Sequence, residues 1–318
     1  MYVCQFCESE YDESSDKNSK GFWCDFCDGF TYFDKTEPHK FLMILENGTG
    51  ENSEKVVKTK LNKRLSPLRY PGGKSKLIDY LYHTFSQKKL KTFIEPFAGG
   101  ASVGFSLLVG GIIEKLILND LDKGVYSLYK TILEDPDYLI SKINTEKPTH
   151  EDFFNYRGNS VNNFENMDQK ESAWQFLVVN RLAYSGITKA NPLGGKNGTK
   201  KDLLSRWNPD ELIKRIKTIY KYKSQIEVYN MDALELIEEG YWNEEATIFI
   251  DPPYYLKGQD LYNKAYLAKD HDELCFLLDS LYMGCPGADI ILTYDDHEYI
   301  EEIYKYPNIQ KIGRFFSV

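Results

Sequence analysis

An apolar run ends abruptly in ATIFIDPPYYLKG (246–258), which puts an acid, two prolines and two tyrosines where a buried strand should stop. A cis or otherwise rigid proline turn there, built on Pro252 and Pro253, would hold the Asp251 carboxylate and the Pro252 carbonyl facing one point. Two converging acceptors suit an amino group, which has two hydrogens to donate. Tyr254 adds a flat face on which a ring could stack. A plain turn after a core strand would explain neither the acid nor the aromatic.

Other acids sit in equivalent places. KTFIEPF (91–97), KLILND (115–120), QIEVYNMD (225–232) and ADIILTYDD (288–296) are short apolar runs that finish near Glu95, Asp120, Asp232 and Asp295. With helical stretches between them, such as DKGVYSLYKTIL, they predict an α/β fold with a parallel sheet wound with helices. Ligands of open sheets bind beyond the carboxyl ends of the strands, where these acids collect. In EPFAGGAS the pair Gly99–Gly100 allows close approach of the backbone to a ligand, and a helix is expected from about Ser102. Asp120 stands where an acid grips ribose hydroxyls in nucleoside-binding sheets. Upstream, RYPGGKSKLIDYL (69–81) sets a Gly-Gly turn and Lys74 before a helix; by itself that is an ordinary helix start.

Four of the six cysteines form C-x2-C, sixteen residues, C-x2-C: Cys4, Cys7, Cys24 and Cys27. That spacing predicts a closed tetrahedral thiolate site for structural Zn2+ in a ribbon over residues 1–40. Disulfides and a rubredoxin-like iron are the alternatives. Phe22, Trp23, Phe26, Phe30, Tyr32 and Phe33 would supply its apolar skin, and the metal most of its folding free energy. Cys275 and Cys285 read as core residues.

Residues 41–65 read as a linker, most clearly the polar ENGTGENSEKVVKTKLNKR (46–64). Residues 145–224 break the strand–helix rhythm and look inserted between two parts of one sheet domain, 66–144 and 225–318. The whole chain carries a net charge of −9, yet residues 181–223 hold eleven Lys/Arg against three Asp/Glu, a net of +8. A local basic segment in an acidic protein would steer a polyanion to one face; a solvated helix face is the plainer reading. No apolar segment is long enough to span a bilayer and no secretion signal opens the chain, so a cytoplasmic, non-membrane protein is expected.

In this order, RYPGGK, EPFAGGAS, LND, NMD and DPPYY resemble the Dam-like DNA adenine-N6 methyltransferases, in the α-type arrangement where the recognition insert precedes the catalytic tetrapeptide. NRLAYSGI (180–187) and LSRWNPDEL (204–212) are similar to segments of that family's insert. The resemblance covers roughly residues 66–316. It implies a Rossmann-like methyltransferase sheet, a mostly helical DNA-recognition domain, S-adenosylmethionine as cofactor, and a flipped adenine in duplex DNA as substrate. It implies that Asp251, Pro252, Pro253 and Tyr254 are catalytic. Tyr70, Gly73, Lys74, Glu95, Pro96, Phe97, Gly99 and Gly100 would face the cofactor, with Lys74 and the 95–100 turn at its methionine end. Asp120 would lie at its ribose and Asp232 at its adenine side. Arg181, Lys189, Asn191, Lys200, Lys201 and Arg206 are the DNA-binding candidates.

The ribbon is additional to the minimal family pattern and would serve DNA or a partner such as a restriction endonuclease. After KIGRFFSV a further sheet strand would be expected. Methylation of cytosine N4 or of RNA, and a zinc-ribbon assembly protein with a degenerate methyltransferase domain, are the competing readings. Serine in place of Asp251 would be more usual for the cytosine chemistry.

Overall fold

The computed structural model describes residues 39–47, 58–70, 72–85, 90–255 and 266–313, together with the backbone of 2–3, 10–11, 21–24 and 29–32. Two short antiparallel pairs come first: β1 (Tyr2–Val3) with β2 (Glu10–Tyr11), and β3 (Gly21–Cys24) with β4 (Gly29–Tyr32). Cys4, Cys7 and Cys27 lie outside the described residues, and Cys24 is described only as backbone.

The remaining strands are β5 (Phe41–Asn47), β6 (Thr92–Glu95), β7 (Lys115–Asn119), β8 (Ile226–Tyr229), β9 (Ala246–Ile250), β10 (Asp289–Asp295) and β11 (Asn308–Gly313). They form one seven-stranded sheet in the order β11-β5-β10-β9-β6-β7-β8. Every neighbouring pair is parallel. The strands are continuously apolar because both faces are covered. Leu42, Phe93, Leu116, Phe249 and Ile291 belong to one core, while Met43, Ile94, Ile248, Ile290 and Leu292 belong to the other.

Phe41–Asn47, assigned to the linker, is a sheet strand whose residues 41–46 are buried. FLMILE is an apolar run bounded by a polar stretch, the pattern of a strand buried on both sides. It pairs with β10 on one side and β11 on the other, so residues from both ends of the chain complete the sheet beyond β10. The later part of the linker is also pinned. The Thr59 amide donates to Asp79 Oδ1 at 2.9 Å and the Ser106 hydroxyl donates to the Asn62 carbonyl at 2.7 Å.

The helices along the sheet domain are α1 (Ile78–Thr84), α2 (Ser102–Val109), α3 (Lys123–Glu134) and α4 (Pro136–Thr145). Residues 145–224 contribute α5 (His150–Val161), α6 (Gln169–Leu182), α7 (Lys200–Leu203) and α8 (Pro209–Tyr220). After it come α9 (Ala233–Tyr241), α10 (Ala268–Gly284) and α11 (Glu298–Ile303). The stretch 145–224 is helical, as expected, but it shares its core with the sheet: Phe153, Trp174 and Leu177 belong to the same cluster as Phe93 and Leu116. No helix among the described residues is long and apolar enough to cross a membrane. Cys275 is buried, whereas Cys285, just past α10, is only half-buried.

Candidate active site

The strand order reverses direction between β6 and β9, whose carboxyl ends bring Glu95 and Asp251 to one cleft. Such a switch point leaves a crevice because successive crossovers diverge there. Tyr70, Gly73, Lys74, Glu95, Phe97, Gly100, Asp120, Asp251 and Pro253, all expected site residues, line it. Pro96, Gly99, Pro252, Tyr254 and Asp232 are not among its lining.

Asp251 is fixed by two hydrogen bonds on one oxygen. Lys74 Nζ approaches Oδ1 at 2.5 Å, and the Thr293 hydroxyl donates to the same atom at 2.8 Å. The side chain keeps 22% of its surface exposed. Burial pushes its carboxyl above the usual range and Lys74 opposes that rise. The Asp-Pro-Pro turn needs no cis bond; every described peptide bond is trans.

Lys74 is itself buried, and its ammonium lies 3.3 Å from Glu46 Oε1 and 4.7 Å from the centre of the Tyr254 ring. The Tyr254 hydroxyl donates to Glu46 Oε1 at 2.7 Å. Glu46 and Thr293 are absent from the residues the sequence singles out. Glu46 follows the strand-end rule that finds the other acids, but its strand reads as linker.

Glu95 is fully buried and accepts the Gly104 amide at 2.6 Å. Burial raises its pKa to about 8, and the nearby Asp251 adds to the rise. Asp120 organises the neighbouring turn: Oδ2 accepts the Gly99 amide at 2.8 Å and Oδ1 accepts the Asp122 amide at 2.9 Å. Pro96 and Gly99 lie behind the lining, where their carbonyls accept from Asn119 Nδ2 and the Tyr129 hydroxyl. Gly99 has φ +45°, and a Cβ there would stand 2.5 Å from Tyr70 Cε1. The glycine pair is expected to admit a ligand; at Gly99 the group admitted is the Tyr70 ring. Asp232 is exposed and caps α9 by accepting the Leu234 amide at 2.8 Å.

The family model for the D12 class of N6 adenine-specific DNA methyltransferases matches residues 70–318. The chain belongs to this family. This methyltransferase therefore modifies the N6 amine of adenine at specific DNA sites, and the family implies S-adenosylmethionine as methyl donor. The chain is 23% identical over 264 residues to the type II methyltransferase M.MjaIII of Methanocaldococcus jannaschii, covering 77% of this chain and 89% of that one. It is 23% identical over 271 residues to the type II methyltransferase M1.LlaDCHI of Lactococcus lactis subsp. cremoris, covering 81% and 90%. The DNA N-6-adenine-methyltransferase of Escherichia phage P1 is 25% identical over 262 residues, covering 80% of this chain and 33% of its own.

In this methyltransferase the stretch 145–224 meets the cleft through Asn180. This side chain accepts the Arg69 amide at 2.8 Å and donates to the Arg69 and Gly186 carbonyls at 2.9 and 3.1 Å. Asn180, Gly186 and Tyr266 line the cleft in addition to the expected set. Gly186 has φ +77°, and a Cβ there would fall 2.0 Å from the Arg69 carbonyl. Close by, guanidiniums gather and donate to main-chain carbonyls, and Arg215 also lies 4.0 Å from the Glu211 carboxylate. Arg69 Nη1 donates to Ala183 O at 3.0 Å, Arg181 Nη2 to Arg206 O at 2.5 Å, and Arg215 Nη1 to Ser66 O at 2.8 Å. Burial, then Arg215, Arg69 and Arg206, lower the Arg181 pKa to about 10. Lys189, Asn191, Lys200, Lys201 and Arg206 are all exposed. Among the described residues no group of three or more His, Cys, Asp or Glu could hold a metal.

Proposed function

We propose that the cleft at the ends of β6 and β9 takes a flipped-out adenine and performs the methyl transfer with Asp251, Pro252 and Tyr254. The observation carrying this reading is Asp251 itself, held on one oxygen at the cleft. An exocyclic amine is a poor nucleophile because its lone pair is delocalised into the ring. Hydrogen bonds from its two hydrogens to Asp251 and the Pro252 carbonyl draw the nitrogen toward sp3 and aim that lone pair. Asp251 is then the acceptor for the proton that the methylated nitrogen sheds. Pro253 stiffens the turn, and the Tyr254 ring, with Lys74 over one face, offers the other to the base.

S-adenosylmethionine supplies, when bound, an electrophilic methyl group on a sulfonium. The donor set fits it: Glu95, a buried carboxyl with one main-chain N–H partner among the described residues, suits a ligand ammonium, and Asp120 suits hydroxyls. Tyr70, Gly73, Phe97 and Gly100 wall this part of the cleft. Pro96 and Gly99 shape it from behind, and Lys74 acts through Asp251. Asp232, at the start of α9, serves the adenine side from outside the lining.

The insert reads a short duplex site. Guanidiniums that donate to carbonyls keep positive charge for phosphates, which supports Arg181 as a backbone contact, while Arg206, Lys189, Asn191, Lys200 and Lys201 stand on the exposed approach. Cys4, Cys7, Cys24 and Cys27 bind one structural Zn2+. The spacing supports this, as does the pairing of strands around each C-x-x-C: β1 with β2 brackets Cys4 and Cys7, and β3 with β4 brackets Cys27 and ends at Cys24. The ribbon so formed contacts DNA or a partner protein, such as a cognate endonuclease.

The test is incubation with labelled S-adenosylmethionine and duplex DNA, followed by digestion to nucleosides. Labelled N6-methyladenine that disappears in Asp251→Ala, with cofactor binding retained, supports the reading. Full transfer by Asp251→Ala would move the chemistry elsewhere.

A further inference from the structure

We propose that Glu46 is a positioning residue of this active site: it anchors Tyr254 and shares the Lys74 ammonium, so that Asp251 keeps acceptor capacity for the substrate amine. This rests on the reading of Asp251–Tyr254 as the amine-binding tetrapeptide. Glu46 lies on β5, N-terminal to residue 70, where the family match begins. Its side chain is completely buried, opposite Asp295 of β10 in the sheet register.

A buried carboxylate is costly unless ion-paired and hydrogen-bonded. Glu46 is both: Oε1 accepts the Tyr254 hydroxyl at 2.7 Å and lies 3.3 Å from Lys74 Nζ. The same ammonium is 2.5 Å from Asp251 Oδ1. One cation therefore serves two carboxylates. Were Glu46 neutral, Lys74 would pair with Asp251 alone, and the electron density of that carboxylate would be drawn further toward Lys74 and away from an amine hydrogen. The Tyr254 ring would also keep only a weaker hold on its hydroxyl. Both consequences fall on the base, and neither falls on the cofactor lining at Glu95 and Asp120.

The test compares Glu46→Gln, Tyr254→Phe, their double variant and Asp251→Ala in the full chain. Measurements are kcat for DNA methylation, the Kd for S-adenosylmethionine by calorimetry, and Tm. Glu46→Gln retains an acceptor oxygen for Tyr254 but loses the charge. The expected result is a kcat lowered roughly 10- to 100-fold, the effect of losing charge-assisted bonds, with the cofactor Kd within about twofold of wild type. The double variant should lose little beyond the worse single variant, because both cut one linkage. Wild-type kcat in folded Glu46→Gln, or fully multiplicative losses, overturns the proposal. Should Glu46→Gln fail to fold, Tyr254→Phe decides: unchanged kcat overturns the proposal and a lowered kcat at constant cofactor Kd upholds it. Failure of the underlying reading has a different signature, full activity of Asp251→Ala.

Discussion

Lys74 and Asp251 are 177 residues apart in sequence, yet Lys74 Nζ sits 2.5 Å from Asp251 Oδ1. The pair joins the Gly-Gly turn before α1 to the end of β9 and makes the carboxylate part of a buried network with Glu46 and Thr293. The family resemblance places Lys74 at the methionine end of the cofactor. Its ammonium also lies against Asp251, the proposed acceptor of the amine.

Replacing Lys74 by Met leaves Glu46 and Asp251 without their shared cation. Breaking a buried pair by removing one partner costs about 3–5 kcal/mol. We expect a lower Tm, measured by thermal unfolding. The Asp251 carboxyl, already above its usual range, should rise further once the opposing charge is gone. The acid limb of the methylation pH–rate profile should therefore move to higher pH.

Glu95 predicts how stability of the cofactor-free protein depends on pH. Its folded pKa is raised from 4.5 to about 8. Between those values the folded state binds more protons than the unfolded one, so stability is greatest at the acid end and falls as pH rises. Glu95→Gln should flatten this fall while keeping an acceptor for the Gly104 amide. Denaturant midpoints measured across that window check it; an equal slope in the variant refutes the assignment.

Gly99→Ala adds a Cβ 2.5 Å from Tyr70 Cε1 at a residue with φ +45°. The left-handed backbone alone costs about 1–2 kcal/mol for a residue with a Cβ. The displaced Tyr70 should also weaken cofactor binding. Chemical denaturation and calorimetric titration measure the two losses, and Gly99→Ala/Tyr70→Ala should recover part of the stability.

Lys200 and Lys201 are exposed on α7, which is capped by a Thr199–Asp202 box. Removing one cation that neutralises a DNA phosphate lowers the slope of log K against log salt by about 0.9. The double Ala variant should lower that slope by up to ~2 in a DNA-binding titration across salt concentrations, without altering cofactor affinity.

Zinc at one per chain is expected from elemental analysis, and Cys4→Ser should lose it. Because a structural site supplies folding free energy, chelation should make the first forty residues protease-sensitive while residues 66–313 resist.

Much of the sheet is legible in the sequence because a strand buried on both faces is a continuous apolar run. FIE, LILN, ATIFI and DIILTYD all announce themselves this way, and the acids at or just past the first three, Glu95, Asp120 and Asp251, line the cleft. FLMILE carries the same signal, but its distance from the recognisable motifs and the polar stretch after it conceal its place beside β10. Asn308–Gly313 is largely exposed along its length and carries no such run. The helical character of 145–224 is also readable. Its sharing of one core with the sheet is not, since burial of Phe153 and Trp174 depends on which surface they meet.

Residue types and order therefore determined most of the strands, the strand-end acids, the family and the chemistry that DPPY can perform. Only the tertiary structure decided which charges share a partner. Ion pairing inside a protein depends on separations of a few ångströms and on exclusion of water, and neither can be read along a chain. Glu46, Lys74, Asp251 and Thr293 lie on four separate segments of the sequence. Parallel packing of β5, β10 and β9 brings three of them to one edge, and the turn before α1 carries Lys74 in among them.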